Sequence, residues 1–352
     1  MDMGSNITYK PVGVIGIGSF GTSVSNLLSK NSNVILYGRN PEQVQKINSS
    51  RRSSDQTLEK NIEITNDLEY LAKHCDIIFP VIPSSAFRSL MKDLSRFLKP
   101  YHILIHGTKG FDLHAQNINL NSEDLLLSRH EVRTMSEVIR EESVVVRVGC
   151  LAGPNLAVEL AQGQPSATVV ASRFNEVIQE GQRLLRSDRF QVYGSSDLIG
   201  VELSGILKNI IAIASGALSG LGMGENSRGF LISRGMVEMI YLGKVLGGNT
   251  QAFIGLAGIG DLVTTCSSQL SRNFTVGYRL AKGESLDTIV NSMEETAEGI
   301  NTVMVTRNMA KYYKVRAPIT EKLYDVMFNG LSPDMALQYL MKYPFNVDID
   351  FL

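Results

Sequence analysis

The sequence predicts a doubly wound α/β domain followed by an all-α domain, and three observations carry that prediction. Short β-branched runs alternate with helical segments through the first half. A glycine-rich turn, Gly16-Ile-Gly-Ser-Phe-Gly21, joins the first strand to the first helix. After about Gly194 the strand signals stop. At 352 residues the chain is long enough for two cores, read here as residues 1–194 and 195–352.

In chain order, residues 12–15, 34–37, 77–82, 103–106, 144–148 and 167–171 read as strands. Several are continuously apolar, as expected where both faces of a parallel sheet are covered. Residues 22–29 and 85–97 can supply crossover helices. Residues 111–142 are polar, long for a connection, and charged in a helical pattern in their second half. They read as a surface excursion, an insertion in the first domain. Beyond Gly194, residues 198–218, 227–246, 270–281, 300–313, 320–328 and 333–342 read as helices, the last opening on Ser332-Pro333, a cap followed by proline at the first helical position.

Charge is nearly balanced, 34 basic residues against 35 acidic, which leaves no broad electrostatic footprint for nucleic acid or an anionic membrane. Cys75, Cys150 and Cys266 are odd in number and far apart, which argues against a disulfide framework and for a reducing compartment. The opening Met1-Asp-Met-Gly-Ser-Asn6 has neither a basic nor an apolar leader region, and the final Asp350-Phe-Leu is no peroxisomal address. No uninterrupted run of 18 apolar residues occurs. A soluble cytoplasmic protein is expected.

The turn between Gly16 and Gly21 matches G-x-G-x-x-G where physics wants it, ending a strand and opening a helix. Gly16 allows the tight turn, Gly18 lets backbone approach a pyrophosphate, and Gly21 lets helix pack on strand. This makes the first domain Rossmann-type and NADH or NADPH the expected cofactor. The second strand runs into Tyr37-Gly38-Arg39-Asn40, with an arginine where an NAD-selective site usually carries an acid. Arg39 can pair with a 2′-phosphate, so NADPH should bind at least as well as NADH; the competing role is stacking on adenine. Pro80 to Ser84, Gly107-Thr-Lys-Gly110 and Ala152-Gly-Pro-Asn155 follow later strands and should line the same crevice. Lys109 is a cation at such a strand end, although alone it would pass for an ordinary surface lysine.

Lys208 is the only charged residue between Leu203 and Gly224, in a run that reads as a buried helix. Removing an ammonium from water costs several kcal/mol unless it is paired or gives up its proton, and burial lowers a lysine pKa toward neutrality. Snorkelling from a helix edge is the alternative. All five histidines precede residue 131, so an acid/base in the helical half must be another residue type. Lys208 is the candidate, with Asn209 beside it to hydrogen-bond a substrate hydroxyl. Further on, Gly255-Leu-Ala-Gly-Ile-Gly-Asp261-Leu-Val-Thr-Thr265-Cys leads to Ser271-Arg272-Asn273 at another helix start. Hydroxyls, backbone N–H groups and a guanidinium make this an anion cradle, and Asp261 could hold Lys208 in place. Taken singly, Ser271 is an N-cap and Arg272 a solvated first-turn residue. Cys266 reads as packing. No His/Cys/carboxylate cluster suggests a metal.

The glycine fingerprint, Lys109-Gly110, Ala152 to Asn155, Glu202-Leu-Ser-Gly-Ile-Leu-Lys-Asn209, Gly255 to Leu262 and Ser271-Arg-Asn273 occur in one order. Together with Arg234-Gly235, Glu238-Met239 and Glu298-Gly299 they closely resemble the bacterial-type NAD(P)-dependent glycerol-3-phosphate dehydrogenases. The resemblance implies reversible reduction of dihydroxyacetone phosphate to sn-glycerol 3-phosphate, a supply of glycerol phosphate for phospholipid synthesis, and a homodimer. It makes Lys208 the proton-transfer residue and puts Lys109, Gly153, Asn155, Asn209, Asp261, Thr265, Ser271, Arg272 and Asn273 around the substrate. Gly16, Gly18, Ser19, Phe20, Gly21, Arg39, Lys109, Ala157, Arg272 and Glu298 then fall at cofactor positions. Phe20 replaces a common Trp or Tyr, Gly224-Glu225-Asn226 stands for Gly-Asp-Asn, and the segment after Gly110 is longer than usual. Two rivals are a related Lys-Asn dehydrogenase acting on a sugar-phosphate acid or ketopantoate, and a non-enzymatic dinucleotide sensor.

Overall fold

The computed structural model describes residues 10–113, 119, 120, 122, 125–293, 295, 297–344 and 348. His114 and the two chain ends read above for targeting signals lie outside the described residues.

Eight strands form one sheet: β1 (Val12–Ile15), β2 (Val34–Tyr37), β3 (Ile62–Thr65), β4 (Ile77–Pro80), β5 (Ile103–His106), β6 (Arg147–Ala152), β7 (Ser166–Ser172) and β8 (Phe190–Ser195). Their order is β8-β7-β6-β5-β4-β1-β2-β3. All neighbours are parallel except β6 and β7, which run antiparallel. Ile15 lies between Tyr37 and Pro80 in register, so the loops after β1, β2 and β4 open together. Helices α1 (Ser19–Leu28), α2 (Pro41–Ser50), α3 (Leu68–His74), α4 (Ser84–Ser95), α5 (Met135–Glu142), α6 (Ala157–Ala161) and α7 (Asn175–Leu185) accompany the sheet. One buried apolar cluster includes Val14, Val24 and Phe79, and another Ile15, Phe87 and Val138. Alternate residues of β1 serve the two clusters, which is why the whole strand is apolar.

The helical part follows directly: α8 (Leu198–Gly220), α9 (Glu225–Val245), α10 (Thr250–Ile254), α11 (Asp261–Ser267), α12 (Arg272–Ala281), α13 (Leu286–Ser292), α14 (Glu298–Tyr313), α15 (Pro318–Phe328) and α16 (Pro333–Lys342), with a π-turn at Leu256–Gly260. The Asp197 side chain caps α8 by accepting from Gly200 N–H at 3.0 Å. By length and composition α8 could cross a bilayer, yet it is buried almost all round as the central helix of this half. Helix α12 crosses it closely. A Cβ on Gly216 would lie 1.9 Å from Phe274 O, and one on Gly277 would lie 1.8 Å from Ile213 O, so only glycine fits at this crossing. That close approach brings the start of α12 to the middle of α8.

Two expectations need correction. The strand expected at 144–148 begins at Arg147 and runs on to Ala152; Val144 and Val146, which prompted the expectation, are mostly exposed. Gly149 and Cys150 hide the true strand from propensity, since neither is a strong strand former. The insertion at 111–142 is also no mere surface excursion. Phe111, Leu127 and Val132 are buried in the core of the helical half, and Leu127 is wholly inaccessible. Leu127 N–H donates to Asn308 O, Asn308 Nδ2 donates to Leu120 O, and Arg129 N–H donates to the Tyr313 hydroxyl. Arg129 also makes a bidentate pair with Glu137 of α5, at 2.7 Å to each oxygen. The segment is thus a strap between the halves. Its second part does form α5, opened by a Thr134/Glu137 capping box.

Candidate active site

The glycine turn has the geometry of a phosphate cradle. Gly16 has φ +127°, a conformation side chains rarely adopt, and a Cβ on Gly21 would lie 2.0 Å from Gly16 O. Gly18 is the N-cap of α1, leaving the amides of Ser19 and Phe20 at the helix start. The Phe20 ring lies against Gly107, where an added Cβ would be 3.1 Å away. Gly38 packs on the side chain of Ile17, so the exposed Arg39 follows β2 directly beside the turn. Ala157 opens α6, and its carbonyl accepts from Ser23 Oγ at 3.1 Å. Glu298 opens α14 and accepts from the Ser84 amide and hydroxyl at the start of α4, next to Gly110.

Across the cleft, three ionisable groups meet in the interior. Lys208 is only 5% exposed. Its Nζ lies 2.9 Å from Asp261 Oδ1 and donates to Thr265 Oγ1 at 2.5 Å. Lys109 Nζ approaches the other carboxylate oxygen, Asp261 Oδ2, at 2.5 Å and donates to Gly153 O at 3.3 Å. One carboxylate therefore faces two ammoniums. Burial lowers the Lys208 pKa to about 8, against the attraction of Asp261, and Lys109 adds to the lowering. Burial also acts against the Asp261 carboxylate, but the two lysines outweigh it and hold its pKa below the ordinary range. The anticipated Asp261–Lys208 pair is present, and Lys109 joins it from the sheet side.

The remaining residues divide by what their side chains hold. Asn209 Nδ2 reaches Lys109 O at 3.5 Å. Ser271 is the N-cap of α12, accepting from Phe274 N–H at 3.3 Å. Asn273 Oδ1 accepts from Gly299 N–H at 2.9 Å, tying α12 to α14. Gly153 has φ +156° and lies against Thr168. Asn155 Nδ2 donates to Ala167 O at 3.0 Å, while its Oδ1 is buried with no partner among the described residues. Asn155 and Asn273 thus spend hydrogen bonds on the frame of the site. Cys266 is buried beside Lys208, and burial pushes its thiol up to about 12, as a packing residue requires.

Arg272 stands at the start of α12, its side chain 47% exposed, and pairs with Glu295 Oε2 at 3.0 Å. Glu295 was not singled out from sequence. Its Oε1 accepts from Ser19 Oγ at 2.7 Å and from Ser19 N–H at 3.3 Å. Burial raises its pKa, but the Ser19 bonds and Arg272 outweigh this and keep it ionised. A carboxylate of the protein thus sits at the amino end of α1, where the free amides and the helix dipole favour negative charge. No pattern in the sequence marks Glu295, because its partners lie more than 20 residues away or in the other half.

Comparisons with known proteins bear on the family of the whole chain. A family model described as "NAD-dependent glycerol-3-phosphate dehydrogenase N-terminus" matches residues 11–178, and one described as "NAD-dependent glycerol-3-phosphate dehydrogenase C-terminus" matches residues 197–338. A protein of Pseudomonas putida named glycerol-3-phosphate dehydrogenase [NAD(P)+] is 38% identical over 97% of this chain and 97% of its own. A protein of the same name from Acinetobacter baylyi is 39% identical, covering 97% of this chain and 92% of its own. Among solved structures, a glycerol-3-phosphate dehydrogenase from Coxiella burnetii has TM-score 0.85 and 29% identity over 95% of this chain and 99% of its own. A ketopantoate reductase from Ralstonia eutropha shares the fold only, with TM-score 0.55 and 13% identity over 93% of this chain and 99% of its own.

Proposed function

The chain belongs to the NAD-dependent glycerol-3-phosphate dehydrogenase family, and from that premise we propose how its residues divide the work. The protein is an oxidoreductase that uses NAD(P)H to reduce dihydroxyacetone phosphate to sn-glycerol 3-phosphate. The observation that carries the assignment of roles is the sharing of buried Asp261 by Lys109 and Lys208.

When bound, the dinucleotide supplies the hydride. Residues 1–194 would hold it through the Gly16, Gly18 and Gly21 turn, with Ser19, Phe20, Arg39, Ala157 and Glu298 around it. In the reductive direction Lys208 hydrogen-bonds the ketone oxygen, stabilises the alkoxide as charge develops, and gives up its proton. In the oxidative direction it takes that proton back. Asp261 and Thr265 aim the ammonium, while Lys109 and Asn209 complete the polar wall around the three-carbon unit. Arg272, at the amino end of α12, receives the substrate phosphate, which fixes the carbonyl relative to Lys208. Residues 195–352 supply this substrate half.

Balanced charge supports a protein acting on a small molecule rather than on nucleic acid or an anionic membrane; a cytoplasmic homodimer that supplies glycerol phosphate for phospholipids is part of the same proposal. The test is disappearance of NADPH or NADH absorbance with dihydroxyacetone phosphate, run beside ketopantoate. Turnover of ketopantoate in preference to dihydroxyacetone phosphate would overturn the substrate, and no turnover of either would leave a dinucleotide sensor.

A further inference from the structure

A second buried charge lies below the site and takes no part in the roles above. Glu202, in α8, is wholly enclosed. Its Oε1 lies 3.0 Å from His106 Nε2 and accepts from Ser136 N–H at 2.9 Å, and its Oε2 accepts from Ser136 Oγ at 2.6 Å. Burial alone would push the Glu202 carboxyl up, but the bonds from His106 and Ser136 hold it below the ordinary carboxylate range. The other ring nitrogen of His106, Nδ1, is buried with no partner among the described residues, and the ring meets Phe87 edge-on at 5.9 Å. The His106 ring therefore has one polar attachment among the described residues, and it is Glu202.

The placement of this attachment matters. His106 ends β5, and Lys109 follows three residues later. Glu202, Gly205 and Asn209 are spaced i, i+3, i+7 and so share one face of α8. The strand end runs along that face. His106 meets Glu202, the Lys109 stem passes Gly205 with Cδ 3.7 Å from where a Cβ would be, and Lys109 O meets Asn209 Nδ2. Lys208 is carried by the same helix. A buried polar tie of this kind is weak evidence for stability, since an apolar replacement is often neutral, but such ties can fix register.

We propose that His106 is a positioning residue for the reduction: its bond to Glu202 fixes the register of β5 on α8, and thereby the approach of Lys109 to the carboxylate it shares with Lys208. The proposal rests on the reading of Lys109 as a site residue. On the sheet side the segment is held by Gly107 N–H donating to Pro80 O at 3.0 Å and Thr108 Oγ1 donating to Ile82 O at 2.7 Å, so the His106–Glu202 bond is its tie to α8 outside the groups it is meant to position. A displacement of about 1 Å there is enough to cost 10-fold or more in turnover.

The test compares two polar substitutions of similar size in the full-length enzyme. His106→Gln carries a nitrogen to the position of Nε2 and can reach Glu202, whereas His106→Asn places its nitrogen near Nδ1 and cannot. His106→Gln should keep kcat within about 3-fold of wild type, and His106→Asn should lose about 10-fold or more, with KM for NADPH unchanged in both. In a Lys109→Ala background His106→Asn should have no further effect, because it acts through Lys109. Equal kcat for the two variants, or a further loss in the Lys109→Ala background, would overturn the proposal. If Lys109→Ala alone leaves kcat intact, the reading of the site fails instead. Should His106→Asn not fold, Glu202→Asp, one methylene shorter, takes its place with the same expectations.

Discussion

Lys208 Nζ and Asp261 Oδ1 lie 2.9 Å apart in the protein interior, and the same carboxylate holds Lys109 through its other oxygen. One acid between two ammoniums cannot neutralise both, so the more deeply buried cation is the one that gives up its proton readily. That is Lys208, with its pKa lowered to about 8.

The sign of the pH dependence follows. Reduction needs Lys208 protonated, so kcat for dihydroxyacetone phosphate should fall as pH rises through about 8. Oxidation needs it neutral, so kcat for sn-glycerol 3-phosphate should rise over the same interval. Lys208→Ala should lower kcat about 100-fold or more in both directions and abolish these limbs. Parallel pH profiles in the two directions would contradict the assignment.

Arg272 is half exposed, so its loss should be tolerated by the fold and felt in binding. Arg272→Ala is expected to raise KM for dihydroxyacetone phosphate about 10-fold or more, the scale of a lost charge-assisted hydrogen bond. Dihydroxyacetone, which lacks the phosphate, should react equally slowly with wild type and variant. A similar loss for both ketones would point to damage at Lys208 rather than to phosphate binding.

Glu295 predicts the opposite effect on the cofactor. Its carboxylate occupies Ser19, so a dinucleotide pyrophosphate reaching the start of α1 meets a negative charge already in place. Glu295→Gln removes that charge and should lower KM for NADPH about 3-fold or more, with kcat retained. Steady-state kinetics at fixed dihydroxyacetone phosphate would show it. A raised KM would mean that Glu295 helps the cofactor rather than competing with it.

Arg39 follows β2 beside the fingerprint turn, where a 2′-phosphate would lie. Arg39→Ala should lower kcat/KM for NADPH about 10-fold or more and leave that for NADH nearly unchanged. If both fall equally, Arg39 stacks on adenine and does not read the phosphate.

Most of the frame was legible because it rests on local patterns. Apolar strands, a glycine turn and a long apolar helix broken by one lysine all announce themselves within a few residues. The strands Ile62–Thr65 and Phe190–Ser195, both at a sheet edge, were missed because each buries only two apolar residues, Ile62 and Ile64 or Phe190 and Val192, too few to stand out as an apolar run. Pro41–Ser50 and Asn175–Leu185 were missed because their polar faces hide short apolar stripes. In the site, the Lys208–Asp261 pairing could be anticipated from charge and burial. The contacts of Glu295 with Ser19 and of Glu202 with His106 could not, since they join residues 276 and 96 positions apart.

Phe111, Leu127 and Val132 belong by chain order to one half of the molecule and by contact to the interior of the other. Cutting the polypeptide in the short link before Leu198 would therefore not separate two self-sufficient bodies. The carboxyl-terminal piece would be born with a hole where three large side chains should lodge, and holes of that size cost several kcal/mol. During synthesis, likewise, the helices leaving the ribosome last must close around side chains made well before them. The two halves are best regarded as one folding partnership, with its clasp sewn into the earlier partner.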